Sequence, residues 1–232
     1  MKIAVVTGAS SGIGKAISFK LLALGYTVIG VSRSINEIYL TYEDFSSIQA
    51  DLSNEQETLQ VCKKLKDQDV HVLIHCAGFG RFEPHEELHP QTITKMTFLN
   101  LTAPMLLTNA LLRTLKKNGG YLININSIEA LKASKFAGVY SATKAGLKAF
   151  GDALFEESRK SDLSVTNINP DMTQSSFYDA LRFETSEKED ERLVASDIAD
   201  AVEHILTMRK GAVVSEYTIR SLHFGIKKKA KN

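Results

Sequence analysis

The feature that most constrains the fold of this chain is a repeated alternation of short, β-rich apolar runs with longer stretches of helical periodicity. A first strand is predicted over residues 3–7. The helix after it has apolar residues at spacings of four, four and three: Ile13, Ile17, Leu21 and Leu24. Such alternation predicts an α/β fold, in which parallel strands are joined by right-handed helical crossovers and helices cover both faces of the sheet.

The later elements extend this pattern along the chain. Further strands are predicted over residues 26–32, 47–50, 70–76, 121–126, 163–168 and 213–219, and further helices over residues 59–65, about 92–117, about 141–160 and 196–208. Only a loop or a short turn fits between residues 32 and 47. We therefore expect a doubly wound parallel β-sheet in a Rossmann-type three-layer α/β/α sandwich, as a single domain over residues 1–232. In such a sheet, the residues that bind ligands lie just after the carboxyl ends of the strands.

Composition and charge narrow the range of partners. The net charge of +1 offers no large field for a polyanion, so we expect no nucleic-acid partner. The amino terminus shows no signal-peptide pattern, and no stretch approaches the about 18 apolar residues of a membrane span. These observations predict a soluble cytoplasmic protein with no membrane partner. The lysine-rich end, residues 227–231, is expected to be solvated, with contact to acidic lipid or nucleic acid as the alternative.

The number and spacing of the cysteines also fit a cytoplasmic protein. Cys62 and Cys76 are the only cysteines of the chain, and neither lies in a Cys-x-x-Cys or Cys/His spacing. We expect buried, reduced thiols and no metal site, with a disulfide or a metal role as the alternative. A reducing compartment fits this expectation.

Three glycines, Gly8, Gly12 and Gly14, lie between the first strand and the first helix. Glycines at such a place permit a tight turn and let the backbone approach a pyrophosphate, which the helix N-terminus then binds through its free N–H groups. The spacing is GxxxGxG and differs from the common GxGxxG pattern, so a purely structural turn is the alternative. The position between a strand and an amphipathic helix favours a dinucleotide site.

The end of the second predicted strand carries a signal for cofactor preference. A site for NAD normally needs an acidic side chain there to bind the ribose 2′-hydroxyl, but this chain has Ser32 followed by Arg33. The missing carboxylate removes repulsion against a 2′-phosphate, and the guanidinium group matches phosphate oxygens. We expect NADP(H) to be preferred over NAD(H), with a solvated surface arginine as the alternative.

A phenol and an ammonium group are predicted on one helix face, where Tyr140 and Lys144 lie four residues apart. Carbonyl reduction needs a proton donor and alcohol oxidation needs a base, but a phenol with a pKa of about 10 is a poor base at neutral pH. An ammonium group about 4 Å away lowers that pKa sufficiently only in a partly desolvated cleft. By itself this spacing is typical of many surface helices.

Ser127 strengthens the catalytic interpretation. It follows the strand over residues 121–126, where the ligand crevice is expected, so its hydroxyl could hold a substrate oxygen beside Tyr140. A hydrolase with Ser127 as nucleophile is disfavoured, because no GxSxG turn surrounds the serine. Asn100, inside the long predicted helix, is a candidate fourth member, although a mid-helix asparagine more often faces solvent or bonds locally.

Together these residues resemble the short-chain dehydrogenase/reductase family, in its compact single-domain form, over residues 2 to about 219. The resemblance implies that Tyr140 is the general acid/base and that Ser127 orients the substrate oxygen. It also implies that Lys144 lowers the tyrosine pKa and holds the nicotinamide ribose, while Asn100 supports a water-linked proton path. The cofactor-binding residues implied by the patterns and the resemblance are Gly8, Ser10, Ser11, Gly12, Ile13, Gly14, Ser32, Arg33, Asp51, Leu52, Ala77, Gly78, Tyr140, Lys144, Pro170 and Thr173.

Two places depart from the family pattern. His75 and Cys76 stand where the family usually has two asparagines, and Asp171 stands where a glycine usually follows the proline. Both departures could shift strand packing or the nicotinamide pocket. A packed strand end is expected for His75 and Cys76, with a ligand role as the alternative. Thr173 and Ser175 remain placed to meet the carboxamide of the cofactor.

The segment over residues 171–193 is expected to border the substrate. Its charged run over residues 184–191 should face water, and before that run it carries apolar side chains: Met172, Phe177, Tyr178, Leu181 and Phe183. A mobile lid and a plain amphipathic surface helix are the two alternatives for this segment.

The function predicted from these features is hydride transfer between NADP(H) and a small-molecule carbonyl or alcohol. The aromatic side chains suggest an apolar carbonyl compound. The alternative is a weakly catalytic dinucleotide-sensing protein on the same fold. By resemblance to the family, we also expect a homodimer or a homotetramer, formed through the long helices over about 92–117 and 141–160.

Overall fold

A computed structural model describes residues 2–34 and 41–229 of the chain. Seven strands form one parallel sheet, and two more form a separate antiparallel pair. In chain order they are β1 (Lys2–Thr7), β2 (Tyr26–Ser32), β3 (Phe45–Gln49), β4 (Val70–His75), β5 (Tyr121–Ile125), β6 (Ser164–Pro170), β7 (Phe183–Thr185), β8 (Glu216–Ile219) and β9 (Ile226–Lys228). The spatial order of the large sheet is β3-β2-β1-β4-β5-β6-β8.

In the described part of the chain, six α-helices cover the two faces of this sheet. They are α1 (Gly12–Ala23), α2 (Glu55–Leu65), α3 (Pro90–Thr97), α4 (Ala103–Lys117), α5 (Gly138–Glu157) and α6 (Ala195–Thr207). On one face, buried side chains of α1 and α6, such as Ile17 and Val202, pack on β1. On the other face, side chains of α2, α4 and α5, such as Leu111 and Leu154, pack on the sheet. This three-layer arrangement confirms the predicted fold class.

The strand order reverses at β1, and this reversal locates the ligand crevice. Val5 of β1 is in register with Ile29 of β2 on one side and with Leu73 of β4 on the other. The crossovers that leave β1 and β4 run to opposite sides, so a crevice opens beyond the carboxyl ends of these strands. The segment between β1 and α1 lies at this crevice.

Several element boundaries differ from the sequence prediction. The third strand begins at Phe45 instead of residue 47, and the last begins only at Glu216, after a turn in which the Ala212 N–H donates to the Arg209 carbonyl. Helix α5 begins at Gly138, so Tyr140 and Lys144 both lie in its first two turns. Periodicity signals the apolar part of an element, and it does not mark the hydrogen bonds that begin or end it.

The helix predicted over residues 92–117 is interrupted. A π-helical turn, Phe98–Thr102, joins α3 to α4, and Asn100 is at its centre. Pro104 explains the interruption, because proline has no N–H to donate to the carbonyl of Asn100 and its ring crowds that carbonyl. The N–H of Ala103 instead donates to the carbonyl of Phe98, five residues back.

Two further regions were predicted, one as a loop and one as a solvated end. Residues 35–40 of the loop predicted between residues 32 and 47 lie outside the described residues. Lys227 and Lys228 of the lysine-rich end are exposed as expected, and Ile226–Lys228 also form β9, which pairs with β7. Residues 230–231 of that end are likewise not described. A three-residue strand with two lysines gives too short a pattern for sequence-based recognition.

Candidate active site

The glycine turn, residues 8–14, is shaped by close backbone contacts. Gly8 and Gly12 have φ values of 72° and 51°, which favour glycine. A Cβ atom on Gly14 would overlap the carbonyl oxygen of Gly8, and one on Gly12 would lie 3.1 Å from the Cβ of Ser175. Helix α1 begins at Gly12, so its N-terminal N–H groups face the crevice. The turn therefore leaves a backbone surface suited to a pyrophosphate.

Thr7 ties this turn to the neighbouring strand. Its hydroxyl oxygen accepts hydrogen bonds from the N–H groups of Cys76 (3.0 Å) and Ala77 (3.1 Å). A Cβ atom on Gly8 would lie 3.0 Å from the Cα of Ala77, so the two backbones are in direct contact. The turn after β1 and the residues after β4 thus form one continuous edge of the crevice.

A cavity of about 520 Å³ lies beyond this edge and is large enough for a nucleotide cofactor. The predicted cofactor residues that line it are Gly8, Ser10, Ser11, Gly12, Ile13, Gly14, Ser32, Arg33, Asp51, Leu52, Ala77, Gly78, Tyr140 and Lys144. Pro170 and Thr173 do not line it, and the Thr173 hydroxyl instead donates to the Asp171 carbonyl. Lining residues that sequence reasoning did not assign to the site include Phe79, Gly80, Arg81, Lys95, Leu99 and Ser176.

The far end of the cavity has the groups expected around an adenosine. Arg33 is exposed at the end of β2, and its carbonyl accepts a hydrogen bond from Gln49. Asp51 is held by the N–H and hydroxyl of Ser53, at 2.9 and 2.8 Å from its Oδ1 atom. Leu52 is buried and gives this end an apolar side. A guanidinium group, a carboxylate and an apolar surface suit a phosphorylated ribose with its base.

Tyr140 and Lys144 are both almost fully buried, with exposed fractions of 6% and 5%. The Nζ of Lys144 lies 5.9 Å from the centre of the Tyr140 ring and donates to the carbonyl of Ile125 at 2.8 Å. Burial lowers the pKa of Lys144 to about 8. The ammonium group is therefore held at the end of β5, beside the tyrosine, by a main-chain oxygen.

The phenol of Tyr140 retains its proton at neutral pH. Burial raises its pKa above the ordinary value, a hydrogen bond with Ser127 lowers it, and the carboxylate of Glu129 raises it. The direction differs from the lowered pKa expected from Lys144, because the loss of solvent around the buried phenol has the largest effect on its pKa. A protonated phenol beside a serine hydroxyl is arranged to donate a proton to a substrate oxygen.

Ser127 and Tyr140 are held together by the loop between them. The Oγ of Ser127 accepts a hydrogen bond from the N–H of Glu129 at 3.1 Å. The carboxylate of Glu129 accepts from the hydroxyls of Ser134 (2.6 Å) and Ser141 (2.7 Å), next to the tyrosine. Glu129 is thus a positioning residue that sequence reasoning missed. It carries no spacing signal, because its partners are brought to it only by the fold.

Asn100 is fully buried beside this group. Its amide nitrogen donates to the carbonyl of Phe79 (2.9 Å) and to the hydroxyl of Thr143 (3.2 Å), and its Oδ1 accepts from the N–H of Phe79 (3.1 Å). Asn100 therefore joins the segment after β4 to helix α5. The sequence signal for this unusual asparagine was Pro104, four residues later.

Aromatic side chains cover the outer side of Tyr140. We name four of them the aromatic wall: Phe82, Phe177, Tyr178 and Phe183. The ring centres of Phe82 and Phe177 lie 5.3 and 5.7 Å from that of Tyr140. Gly80 permits this approach, since a Cβ there would lie 2.8 Å from the ring of Phe177. Of these four side chains, Phe177 lines the cavity and gives it an apolar surface beside Tyr140.

The comparisons with known proteins agree with this geometry. The sequence model of the short-chain dehydrogenase family matches residues 2–185. An uncharacterized oxidoreductase from Staphylococcus epidermidis is 31% identical over 226 residues, which cover 94% of this chain and 96% of that protein. The protein belongs to the short-chain dehydrogenase/reductase family. It is thus a member of an oxidoreductase family.

Solved structures show the same family fold. An alcohol dehydrogenase from the archaeon Thermococcus sibiricus, complexed with 5-hydroxy-NADP, matches with a TM-score of 0.85 and 27% identity, over 96% of this chain and 97% of that one. A 4-hydroxyisoleucine dehydrogenase complexed with NADH matches with a TM-score of 0.84, over 95% and 98% of the two chains. At 22% identity, the second likeness concerns the fold of this short-chain dehydrogenase/reductase alone.

The first departure from the family pattern is packed into the protein. His75 is 2% exposed, and its Nε2 lies 2.8 Å from the hydroxyl oxygen of Thr108. Burial, aided by Lys144, lowers the pKa of His75 to about 3, so the imidazole is neutral at neutral pH. Both thiols are free: Cys62 is buried as expected, whereas Cys76 borders the cavity, and burial raises its pKa to about 12.

The segment over residues 171–193 is not an amphipathic helix in this short-chain dehydrogenase/reductase. It contains β7 and two short 3-10 turns, Ser176–Tyr178 and Glu189–Glu191. In the charged run, Glu187 to Asp190 are exposed as expected, but Thr185 is buried. Ser175 lines the cavity, as does Phe177 from the aromatic wall.

Membrane-crossing helices and metal-binding groups of side chains are absent from residues 2–34 and 41–229. No helix in these ranges is both long and apolar enough to cross a membrane. No group of three or more His, Cys, Asp or Glu side chains in the same ranges could hold a metal ion.

Proposed function

We propose that this protein transfers a hydride between NADP(H) and the carbon of a carbonyl or alcohol group. One observation carries the proposal: the Ser127 hydroxyl, the Tyr140 phenol and the Lys144 ammonium group converge beside the cavity that the glycine turn borders. Gly8, Gly12 and Gly14 line the cavity without side chains, so the residues present fit the pyrophosphate of a dinucleotide.

When bound, NADPH supplies the hydride that reaches the carbonyl carbon. The side chains of the protein act on the oxygen atom of the substrate. Tyr140 holds a proton at its Oη and donates it to the oxygen as negative charge develops there, and Ser127 aligns that oxygen by a hydrogen bond. Lys144 places a positive charge beside the phenolate that remains, and Asn100 fixes the backbone of Phe79 next to it.

Several features support the preference for NADP(H) over NAD(H). Ser32 and Arg33 border the far end of the cavity, and a 2′-phosphate there would meet a guanidinium group and no carboxylate from the end of β2. The archaeal alcohol dehydrogenase that this chain resembles is complexed with an NADP derivative. The aromatic wall supports a substrate with an apolar group beside its carbonyl.

The decisive experiment follows loss of NADPH absorbance with a panel of aldehydes and ketones. The Tyr140→Phe variant keeps the ring contacts with Phe82 and Phe177 but has no proton to donate. We expect kcat to fall by about a thousandfold, while the Kd for NADPH changes by less than about twofold. Tyr42→Phe, at a tyrosine that is 43% exposed, is the matched control and should leave both quantities unchanged.

A Tyr140→Phe variant with more than about a tenth of the native rate would contradict the proposed mechanism. If the native chain binds NADPH but turns over no member of the panel, the dinucleotide-sensing alternative replaces the enzyme proposal.

We also propose, by resemblance to the family, a cytoplasmic homodimer or homotetramer. Sedimentation of the purified protein tests that assembly, and a monomer at micromolar concentration would contradict it.

A further inference from the structure

Asp171, the second departure from the family pattern, joins two strand ends. Its side chain is only 4% exposed. The Oδ1 atom accepts from the N–H of Met172 at 2.8 Å, the Oδ2 atom accepts from the Nε of Arg220 at 3.2 Å, and its own N–H donates to the carbonyl of Ile219 at 2.9 Å. A buried carboxylate is costly unless it is paired, so this pair joins the ends of β6 and β8 firmly.

Two segments of the chain begin at the ends of β6 and β8 and contact each other again through β7 and β9. We name residues 172–193 the covering segment and residues 220–229 the strap. Phe183 to Thr185 of the covering segment pair with Ile226 to Lys228 of the strap as antiparallel strands β7 and β9. The strap is thus connected at one end to Asp171, the residue before the covering segment, by a side-chain pair, and at the other end to the covering segment itself by a small sheet.

Lysine side chains of the strap reinforce this contact. The Nζ of Lys227 lies 3.2 Å from Glu184 and 2.6 Å from Glu187. The N–H of Lys229 donates to the carbonyl of Arg182 at 3.0 Å, and its Nζ donates to the carbonyl of Tyr178 at 2.5 Å. Lys227 therefore pairs with carboxylates of the covering segment, and Lys229 donates hydrogen bonds to its carbonyl oxygens.

The covering segment has little regular structure of its own. Its ends are joined by two main-chain bonds, from the Leu193 N–H to the Met172 carbonyl and from the Gln174 N–H to the Leu193 carbonyl. Between those ends it has two 3-10 turns and a strand whose only ladder partner in the described chain is β9. Such a segment is ordered mainly by what it packs against, so the strap contributes directly to its position.

Ring contacts of the aromatic wall connect the covering segment to Tyr140, the candidate catalytic tyrosine. Phe183 follows the strap-paired backbone, and its ring centre lies 5.2 Å from that of Phe82. Phe82 in turn lies 5.3 Å from the ring centre of Tyr140. Phe177, on the same segment, contacts Tyr140 directly at 5.7 Å. A shift of β7 would therefore change the surface offered to a substrate beside Tyr140.

We propose that the Asp171–Arg220 pair and the strap are positioning elements for substrate binding. They hold the aromatic wall against Tyr140 and so set the affinity for an apolar carbonyl compound, and neither of them lines the cavity that would hold the cofactor. The proposal rests on the proposed function for its substrate. Its structural part, the order that the strap imposes on the covering segment, does not depend on that function.

The first test compares Arg220→Ala with Arg159→Ala. Both arginines are exposed to a similar degree, 58% and 62%, but Arg159 pairs only weakly with Glu156, at 3.9 Å, near the far end of α5. We expect Arg220→Ala to raise KM for an apolar ketone about tenfold, with kcat and the Kd for NADPH changed by less than about twofold. Arg159→Ala should leave all three unchanged, and Arg220→Lys, which keeps the cation, should recover most of the loss.

The second test needs no substrate. Hydrogen exchange of the amides of residues 174–193, followed by mass spectrometry, should become about tenfold faster in Arg220→Ala. Lys227→Ala, which leaves the buried carboxylate paired, should show a smaller increase in the same peptides and none around residues 8–14. Because Lys227 is half exposed, this variant should fold even where Arg220→Ala is damaged.

These measurements separate the two proposals. If no carbonyl compound is reduced but exchange changes as expected, the proposed function fails and the positioning role stands. Unchanged exchange and unchanged KM in Arg220→Ala and Lys227→Ala would overturn the positioning role. So would an NADPH affinity that falls as much as the substrate affinity, because this would indicate general damage to the cleft.

Discussion

The glycine turn and Phe177 of the aromatic wall line the same cavity, but the chain builds the turn and the wall in different ways. The turn consists of seven consecutive residues, and at Gly14 a backbone contact with Gly8 leaves no room for a side chain. The wall is assembled from Phe82, Phe177, Tyr178 and Phe183, and Phe183 belongs to β7, which pairs with the strap. The first surface is determined locally, and the second by tertiary contacts.

The strongest test of the local surface is Gly14→Ala. A single methyl group would overlap the Gly8 carbonyl, so we expect the free energy of unfolding to fall by about 3 kcal/mol and the affinity for NADPH to fall at least about 100-fold. Urea denaturation and NADPH titration measure these effects. Gly138→Ala is the control, because open space surrounds that glycine. A Gly14→Ala variant with native affinity would show that the turn is not set by this contact.

The loss of stability at acid pH tests the burial of His75. The pKa of His75 is about 3 in the folded chain and about 6.5 when unfolded, so the unfolded state binds more protons between these values. Stability therefore falls as pH drops below about 6.5. Between pH 6 and pH 4.5 we expect His75→Asn to lose about 2 kcal/mol less unfolding free energy than the native chain. Substitution of the exposed His204 by asparagine should not have this effect, and an equal loss in all three proteins would contradict the assignment.

Arg33→Ala tests the far end of the cavity. Removal of the guanidinium group should raise the Kd for NADPH about tenfold and leave that for NADH within about twofold. Titration of both cofactors measures the difference, and Arg113→Ala, at an exposed arginine of α4, is the control. If the native chain binds NADH more tightly than NADPH, the preference for NADP(H) is wrong.

The smallest effect is expected at the aromatic wall. Phe177→Ala removes one ring that contacts Tyr140, so KM for an aromatic ketone should rise about fivefold while KM for a small aldehyde changes little. Initial rates with both substrates measure this change. Phe136→Ala, at a phenylalanine that is 45% exposed, should alter neither value. Equal changes for the two substrates would indicate that the ring supports the site without selecting the substrate.

Much of the site could be predicted because its residues follow strand ends. Gly8, Ser127 and Ala77 each come directly after a β-rich run, and parallel strands bring such positions to one edge. Glu129 and Arg220 could not be found in this way. Their partners, Ser141 and Asp171, are 12 and 49 residues distant, and no periodicity connects them.

Some expectations stay predictions. The catalytic roles of Tyr140, Lys144, Ser127 and Asn100 await the measurements above, as do the preference for NADP(H) and the assembly. The single domain over residues 1–232 is also a prediction.

The amino-acid sequence by itself determined the order of strands and helices, the glycine turn and the spacing of Tyr140 with Lys144. These features depend on local periodicity and on which residues tolerate a given backbone conformation. Only the tertiary structure decided that Asn100 lies in a π-helical turn, that burial raises the pKa of Tyr140, and that β9 of the strap pairs with the strand that carries Phe183. Burial and long-range pairing produce these properties, and both arise only when distant segments have packed together.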